Sequence, residues 1–262
     1  MKKFLLSLGA FLTLPMVAQT TFEYNGVSYT VIDEGAKTCM TTPGTYDDEN
    51  DYGYPQCYPT GDLVIPSKAY NEDIEYKVTK IGEYSFVVTD ITGLYISEGI
   101  EEIDDWAFMG CYELQTVDLP STLTSIGMEA FCWDGEVSTL VCRADMPPTC
   151  GEYALYICDW DTYNYNENLK VYVPDDYMAY YQNSSDFEWW YLYNYYLPLS
   201  DYKGTTPDAG VQTVIDPNLP VTVYDIHGRK VAEGNNALTL RNFNKGLYII
   251  RQGKTTSKVI IQ

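Results

Sequence analysis

The chain has 262 residues, of which 45% are hydrophobic and 15% are aromatic, enough for a folded core and for more than one domain. It carries 37 Asp/Glu against 16 Lys/Arg, a formal charge of −21. Nucleic acids and anionic membranes bind proteins through basic residues, so this composition excludes both classes of partner for the main body.

Residues 1–18 have the pattern of a secretory signal peptide. Lys2 and Lys3 precede an apolar run that extends from Phe4 to Leu14, and small residues lead to a cleavage site at Ala18. The apolar run is shorter than the ~20 residues that a membrane-spanning helix needs. We therefore expect an exported protein that is not membrane-spanning.

Residues 19–60 are predicted to form a β-rich N-terminal cap. Alternating apolar residues flank Asn25-Gly26, a dipeptide that favours a hairpin because both turn positions need positive φ. Cys39 and Cys57 flank a polar, Tyr-rich loop, and a disulfide between them is possible in an exported chain. The acidic runs at 47–51 and 159–166 lack the spacing of a calcium loop, and we interpret both as solvated loops.

Residues 61–199 contain a repeat with a period of 23 residues. When residues 91–113 are laid over residues 114–136, apolar residues coincide throughout, including Leu94 with Val117, Ile96 with Leu119, Ile103 with Ile126 and Phe108 with Phe131. An irregular copy precedes these two units and a fading copy follows them. Such a pattern predicts a short solenoid with a parallel β-sheet on one face and a column of Phe86, Phe108 and Phe131 inside.

Within each unit, two apolar residues separated by one residue mark a short strand, whose other side chains point away from the core. These outward positions are the first candidate ligand-binding face of the protein. They are Tyr95, Thr116, Asp118, Thr139 and Val141.

The repeat pattern L-x-x-V-x-L-P-x-x-L-x-x-I-G-x-x-A-F resembles the leucine-rich repeats of BspA-like bacterial surface proteins. Asp104 departs from it by replacing the usual Gly, and Trp133-Asp134 replaces Gly-Cys. The resemblance implies a leucine-rich repeat fold and an adhesin-like, non-catalytic module for protein–protein interaction.

The end of the repeat region is unusually aromatic, and its pattern has two interpretations. As a C-terminal cap, the aromatic side chains would cover the last repeat, because aromatics bury the most area per residue. As an exposed patch, they would give a glycan-binding accessory protein of the bacterial surface. The residues concerned are Trp189, Trp190, Tyr191 and Tyr193.

Residues 200–210 read as a linker, and residues 211–262 as a second domain. Residues 19–220 hold seven Lys/Arg against 35 Asp/Glu, whereas residues 221–262 hold seven against two, and such a reversal of charge marks a domain boundary. Short alternating strands between Gly and Asn turns predict a small all-β sandwich.

This second domain resembles the type A C-terminal sorting domain of the bacterial type IX secretion system. The resemblance implies the type IX machinery as a partner, and a secreted or outer cell-surface location reached through the periplasm. Its motifs, V-Y-D-x-x-G-R-x-V and K-G-x-Y-I-I-R, place the sorting residues at Tyr224, Asp225, Gly228, Arg229, Lys245, Gly246 and Tyr248.

The chain offers little material for catalysis. It has one histidine, His227, inside the sorting motif, and neither a C-x-x-C pair nor a glycine-rich phosphate loop. Paired carboxylates remain, but a glycosidase needs them in a cleft, and a short solenoid presents an open sheet. We expect no enzyme activity, no cofactor and no metal, and an extracellular protein or glycan of unknown identity as the ligand.

Overall fold

The computed structural model describes residues 19–43, 59–204, 221–225, 229–234, 246–252 and 255–261. The predicted signal peptide, Cys57, the acidic run at 47–51 and most of the predicted linker lie outside these residues. No described helix is long and apolar enough to span a membrane.

The described strands up to the C-terminal cap are β1 (Thr21–Tyr24), β2 (Val27–Asp33), β3 (Thr38–Thr41), β4 (Gly61–Ile65), β5 (Lys68–Asn71), β6 (Ile74–Ile81), β7 (Ile91–Ile96), β8 (Glu102–Ile103), β9 (Thr116–Leu119), β10 (Ser125–Ile126), β11 (Thr139–Cys142), β12 (Thr149–Cys150), β13 (Lys170–Val173) and β14 (Tyr196–Pro198). Helices α1 (Met178–Gln182) and α2 (Phe187–Tyr191) lie between β13 and β14, and a 3-10 turn, Leu199–Asp201, follows β14.

The N-terminal hairpin is confirmed. Strands β1 and β2 pair antiparallel around Asn25 and Gly26, whose φ values are 50° and 72°. Strand β3 then pairs antiparallel with β2 and parallel with β6. The hairpin is therefore continuous with the sheet on the return side of the repeats.

The 23-residue period appears directly in the strand register. In the repeat sheet, which is formed by β4, β7, β9, β11, β13 and β14, all pairs are parallel. Val117 lies between Leu94 and Leu140. On the opposite side, the short strands β8, β10 and β12 continue in parallel from β6. Beyond the two full units and the two partial copies, the sheet continues with β13, where the sequence of residues 169–174 also predicts a strand, and with β14.

The predicted phenylalanine column is also confirmed. Phe86, Phe108 and Phe131 are buried, their ring centroids lie 5.2 Å apart at both steps, and their planes differ by 9° and 7°. Each ring is carried by a turn that donates to the next repeat, since Phe86 N donates to Ala107 O at 2.7 Å and Phe108 N to Ala130 O at 2.9 Å. The stacked rings and the backbone hydrogen bonds therefore both connect one repeat to the next.

The repeat ladder is closed at its C-terminal end by a side chain of α2. In earlier repeats, Glu129 N and Phe131 N donate to carbonyl oxygens of the following turn. The equivalent groups of the last turn, Tyr153 N and Leu155 N, donate instead to the two carboxylate oxygens of Glu188, at 2.9 and 3.1 Å. One carboxylate therefore takes the place of two backbone carbonyls, and it fixes α2 on the end of the array.

The strands described in the C-terminal region are β15 (Val221–Asp225), β16 (Lys230–Gly234), β17 (Gly246–Gln252) and β18 (Thr255–Ile261). They form one antiparallel sheet in the order β16-β15-β17-β18. The predicted strands are present, and one sheet is described where the sequence predicted a sandwich.

Candidate binding surfaces

The structure brings the five predicted sheet-face residues together. Asp118 pairs with Tyr95 on one side and Val141 on the other, and Thr116 pairs with Thr139. They form two adjacent rows across β7, β9 and β11. The prediction that they share one face of the repeat sheet follows from strand alternation and from the parallel register.

The prediction that all five are exposed is wrong. Asp118 is 2% exposed and Val141 is fully buried, whereas Tyr95, Thr116 and Thr139 are partly exposed. Asp118 is buried because it forms an ion pair with Arg143 on the outer face of the sheet. Arg143 Nε and Nη2 donate to the two carboxylate oxygens of Asp118, both at 2.8 Å.

The chain beyond β14 adds a second cover to this face. The ring of Tyr202 lies 5.1 Å from that of Tyr172, and the Arg143 guanidinium lies 6.0 Å from the Tyr202 centroid. Ser200 anchors the segment, because its N and Oγ donate to the Asp175 carboxylate at 3.0 and 2.6 Å. The first residues of the segment that we interpreted as a linker are therefore packed against the outer face of the sheet.

The pKa values of two side chains on this face are raised by burial or by neighbouring carboxylates. Burial, together with the nearby carboxylate of Asp62, raises the pKa of Tyr95 to about 12. The Asp118 carboxylate raises the pKa of the Arg143 guanidinium above its ordinary value. The face therefore keeps a neutral phenol at Tyr95 beside the ion pair of Asp118 and Arg143.

The aromatic C-terminal segment separates into a buried and an exposed part. Trp189 is fully buried, and its indole Nε1 donates to Pro148 O at 2.7 Å, so its assignment to an exposed patch is wrong. Consecutive residues on a helix point in directions about 100° apart, and only one member of the Trp189-Trp190 pair can face the last repeat. Trp190 is 52% exposed.

Trp190 belongs to a cluster of exposed rings, which we call the α2 aromatic patch. Its members are Phe187, Trp190, Tyr191 and Tyr193, all about half exposed. The Phe187 centroid lies 4.3 Å from that of Tyr191 and 6.0 Å from that of Trp190. Phe187 was not among the predicted residues, although it lies three residues before Trp190, a spacing that places two side chains on one helix face.

The α2 aromatic patch is held in place by acidic groups below it. Asp186 Oδ2 accepts from Cys150 N at 2.8 Å, and Asp186 Oδ1 accepts from Glu188 N at 3.1 Å. Burial raises the pKa of Glu188, an effect partly offset by its two backbone donors. These contacts give the exposed rings a rigid base.

In the predicted sorting motif, the described residues Asp225 and Arg229 form an ion pair. Arg229 Nε donates to Asp225 Oδ2 at 2.7 Å and Arg229 N donates to Asp225 Oδ1 at 3.0 Å. Tyr224 lies between Lys230 and Ile249 in the sheet. The backbone of Gly246 and Tyr248 lies in β17, whereas Gly228 and Lys245 lie outside the described residues.

The described cysteines lie mostly in the core. Cys39 is buried in β3, and burial raises its pKa to about 12; its predicted partner, Cys57, is outside the described residues, so that disulfide stays a prediction. Cys142 and Cys150 are both free thiols. Within the described ranges, no group of three or more His, Cys, Asp or Glu side chains is arranged to hold a metal ion.

Comparison with known proteins supports the repeat architecture. Residues 67–184 match the BspA type leucine-rich repeat region, in six copies. Over these residues the chain is similar to leucine-rich repeats of the BspA type. No curated protein matches the sequence significantly.

Several solved structures are similar to this chain. A leucine-rich repeat protein from Bacteroides capillosus ATCC 29799 is 22% identical with a TM-score of 0.39, over 58% of this chain and 97% of that one. One from Bacteroides ovatus ATCC 8483 is 23% identical with a TM-score of 0.43, over 60% and 38%. A leucine rich cell surface protein from Faecalibacterium prausnitzii A2-165 is 20% identical with a TM-score of 0.41, over 59% and 39%. This chain thus spans less than two fifths of the last two.

Proposed function

We propose that this chain is an exported, non-catalytic binding protein whose repeat module binds an extracellular protein through the α2 aromatic patch. The patch itself carries the proposal, because three of its rings are in mutual contact and about half exposed on a rigid base. Exposed apolar clusters on folded domains mark interaction sites, and Trp and Tyr are enriched among the residues that dominate binding energy.

The repeat sheet is the weaker candidate for the same role. Arg143 and Tyr202 cover part of its outer face, and only Tyr95, Thr116 and Thr139 of the predicted five keep partial exposure. A charge reversal at Asp118 would disrupt a buried ion pair and would therefore test folding instead of binding. Tyr95 remains the position at which this face can be tested cleanly.

The partner is proposed to be a basic protein. Residues 19–220 carry a net charge of −28, so a basic surface would be attracted over the Debye length of about 8 Å at physiological ionic strength. The charges would mainly accelerate association, while the aromatic rings would hold the complex. Raising the salt concentration should therefore slow association more than it speeds dissociation.

We also propose that the chain reaches the outer cell surface or the medium through the periplasm and the type IX secretion machinery. Residues 211–262 would act as the sorting domain, and support comes from the sequence motifs and from the reversal of charge at this boundary. Deletion of residues 211–262 should leave a folded repeat module in the periplasm. Normal surface display of that truncated protein would contradict the proposed route.

The binding proposal is tested by surface plasmon resonance against a panel of purified collagen, laminin and fibronectin. Trp190→Ala and Tyr191→Ala should each weaken binding at least tenfold, about 1.4 kcal/mol, as expected when an anchor residue is truncated. Tyr112→Ala, which removes an aromatic ring of similar exposure outside the patch, is the matched control and should bind like the wild type. Equal affinities for the wild type, Trp190→Ala and Tyr191→Ala would remove the patch from the interface.

A further inference from the structure

A second group of aromatic side chains lies away from the α2 aromatic patch, around Trp133. We call it the Trp133 cluster; its members are Trp133, Tyr153, Tyr156, Trp160 and Tyr163. The Trp133 ring is the hub, with centroid distances of 4.6 Å to Trp160, 5.3 Å to Tyr156 and 5.6 Å to Tyr163. All three rings meet it edge to face, at 69–76°.

The Trp133 cluster has a half-buried base and an exposed rim. Trp133 and Tyr156 are partly covered, whereas Trp160 and Tyr163 are 55% and 62% exposed. Large aromatic side chains are ordinarily among the most buried residues on average. Two such rings on the surface, both resting on a third, therefore form a platform and not a part of the core.

The backbone at the hub follows the turn geometry of the repeat. Trp133 has φ 68°, and the equivalent residues of the two preceding repeats, Gly110 and Val88, have φ 72° and 54°. A left-handed residue at this position is therefore a property of the repeat, and in this unit the residue is a tryptophan. Tyr163, in the loop that follows, is also left-handed, with φ 58°.

The loop that carries Trp160 and Tyr163 is fixed at both ends. Asp159 Oδ1 accepts hydrogen bonds from Thr162 N and Oγ1 at 2.9 and 2.8 Å. The backbones of Cys158 and Tyr165 pair in an isolated antiparallel β-bridge. A Cβ added at Gly135 would lie 2.5 Å from Asp159 Cα, so the loop packs directly on the repeat backbone there. The exposed rings are therefore positioned before any ligand arrives, which reduces the entropy lost on binding.

From this arrangement we propose that the Trp133 cluster is a binding site for a neutral carbohydrate. A pyranose presents an apolar C–H face that can pack on the flat Trp160 and Tyr163 rings, while its hydroxyl groups need polar partners at the edge. The tyrosine hydroxyls and the exposed carboxylate of Asp161 supply such partners. The sugar would be neutral, because the net charge of −28 over residues 19–220 repels uronic acids and sulfated glycans.

Two features of the platform favour a sugar over a protein as the occupant. The loop that carries the exposed rings also carries Asp161, Thr162 and Asn164, all exposed, so polar groups lie beside a small apolar area. A stable protein interface needs a contiguous surface of about 800 Å² on each partner. One sugar unit needs only one or two ring faces, and a chain of units can use the adjacent rings in turn.

The experiment is affinity gel electrophoresis of the mature protein in gels that contain one soluble polysaccharide each. The neutral probes are mannan, galactomannan, xyloglucan and mixed-linkage β-glucan, and the anionic probes are alginate and polygalacturonate. The wild type should be retarded by at least one neutral probe and by neither anionic probe. Trp160→Ala and Tyr163→Ala should each raise the dissociation constant for that probe at least tenfold. Tyr180→Ala, which removes a ring of similar exposure on α1, should leave it within twofold.

Three results would overturn the proposal: no retardation in any neutral polysaccharide, retardation by the anionic probes alone, or equal retardation of the wild type, Trp160→Ala and Tyr163→Ala. Circular dichroism of each variant verifies that the fold is intact, and Trp160→Phe should restore at least half of the retardation because it keeps a flat ring. If Trp160→Ala instead weakens binding to a matrix protein and to no glycan, the cluster is a protein contact. Failure here leaves the α2 proposal untouched, since that proposal is tested at Trp190 with protein ligands.

Discussion

The stacked phenylalanine column gives the most direct test of the repeat register. Phe108 is fully buried and is covered on both faces, by Phe86 at 5.2 Å and by Phe131 at 5.2 Å. Phe108→Ala would leave a cavity between two rings whose turns are held by backbone hydrogen bonds. Because the turns cannot close over the gap without breaking those bonds, the loss should lie near the upper end of the usual range for buried aromatics, about 4–5 kcal/mol.

The assay is urea unfolding of a protein that comprises residues 19–262, followed by tryptophan fluorescence. All five tryptophans lie between residues 106 and 190, so the signal reports on the repeats and their cap without interference from the C-terminal sheet. Phe108→Leu keeps most of the buried volume and should cost roughly 1–2 kcal/mol. Phe187→Ala removes an exposed ring and should change stability by about 0.5 kcal/mol or less.

The result that would refute this reasoning is a Phe108→Ala variant that unfolds at the urea midpoint of the wild type. The ring would then contribute nothing to the folded state, which is incompatible with complete burial between two neighbours. The order of the three variants matters as much as the size of each effect. A loss in Phe187→Ala as large as that in Phe108→Ala would mean that the assay measures general disturbance of the cap.

Three further predictions use the same unfolding assay. Glu188→Gln should cost about 1–3 kcal/mol, because an amide has one acceptor oxygen for two backbone N–H groups, Tyr153 N and Leu155 N; an unchanged midpoint would show that water replaces the carboxylate. Arg143→Ala should cost about 3–5 kcal/mol by removing the bidentate partner of buried Asp118, and a double variant that also carries Asp118→Ala should lose less than the two single losses added together. Burial raises the pKa of Asp134, so the folded state holds its proton over a pH range in which the unfolded state has released it. Asp134 therefore destabilises the fold progressively as the pH rises from about 3.9, by about 1.4 kcal/mol per unit of the pKa shift. Asp134→Asn should be more stable than the wild type at pH 7, and its advantage should shrink at pH 4; equal advantages at both values would contradict the pKa assignment.

The repeat register could be predicted from the sequence because a solenoid converts a distance along the chain into a distance in space. Residues 23 apart, such as Leu94 and Val117, must be neighbours if each unit makes one turn, and the same spacing stacks Phe108 on Phe131. Neither inference needs any knowledge of side-chain packing. This explains why the core positions were predicted better than the surface positions.

The exposure of the sheet face could not be predicted because strand alternation gives a direction and not an environment. Asp118 does point away from the core, yet Arg143, 25 residues later, pairs with it there. The cover by Tyr202 depends on the chain turning back after β14, and the Gly and Pro residues that follow favoured a linker. Long-range contacts between polar side chains leave no periodic signal in the sequence.

The Trp133 cluster shows the opposite case, in which the signal was visible but its meaning was not. Trp133-Asp134 departs from the repeat pattern, but the sequence alone does not connect this departure with the aromatic residues around Trp160. The structure adds that Trp133 keeps the left-handed backbone of the glycine it replaces, and that Asp134 Oδ2 is buried without a hydrogen-bond partner among the described residues. The left-handed backbone recurs at Val88 and Gly110, and Asp134 Oδ1 accepts from Cys111 N at 2.7 Å, so both positions also follow the geometry of the repeats.

The small size of the array explains why both proposed sites lie towards its C-terminal end. The sheet face of a solenoid grows with every added repeat, whereas each end has a constant area, so the ends form a larger share of the surface when repeats are few. An end must also be closed by polar groups that satisfy the last turn, and Glu188 does this for Tyr153 N and Leu155 N. The closing residue thereby fixes α2, and α2 presents Phe187 and Trp190 to the solvent. In a solenoid of this length, closing the ladder and positioning a binding surface can be carried out by the same few residues.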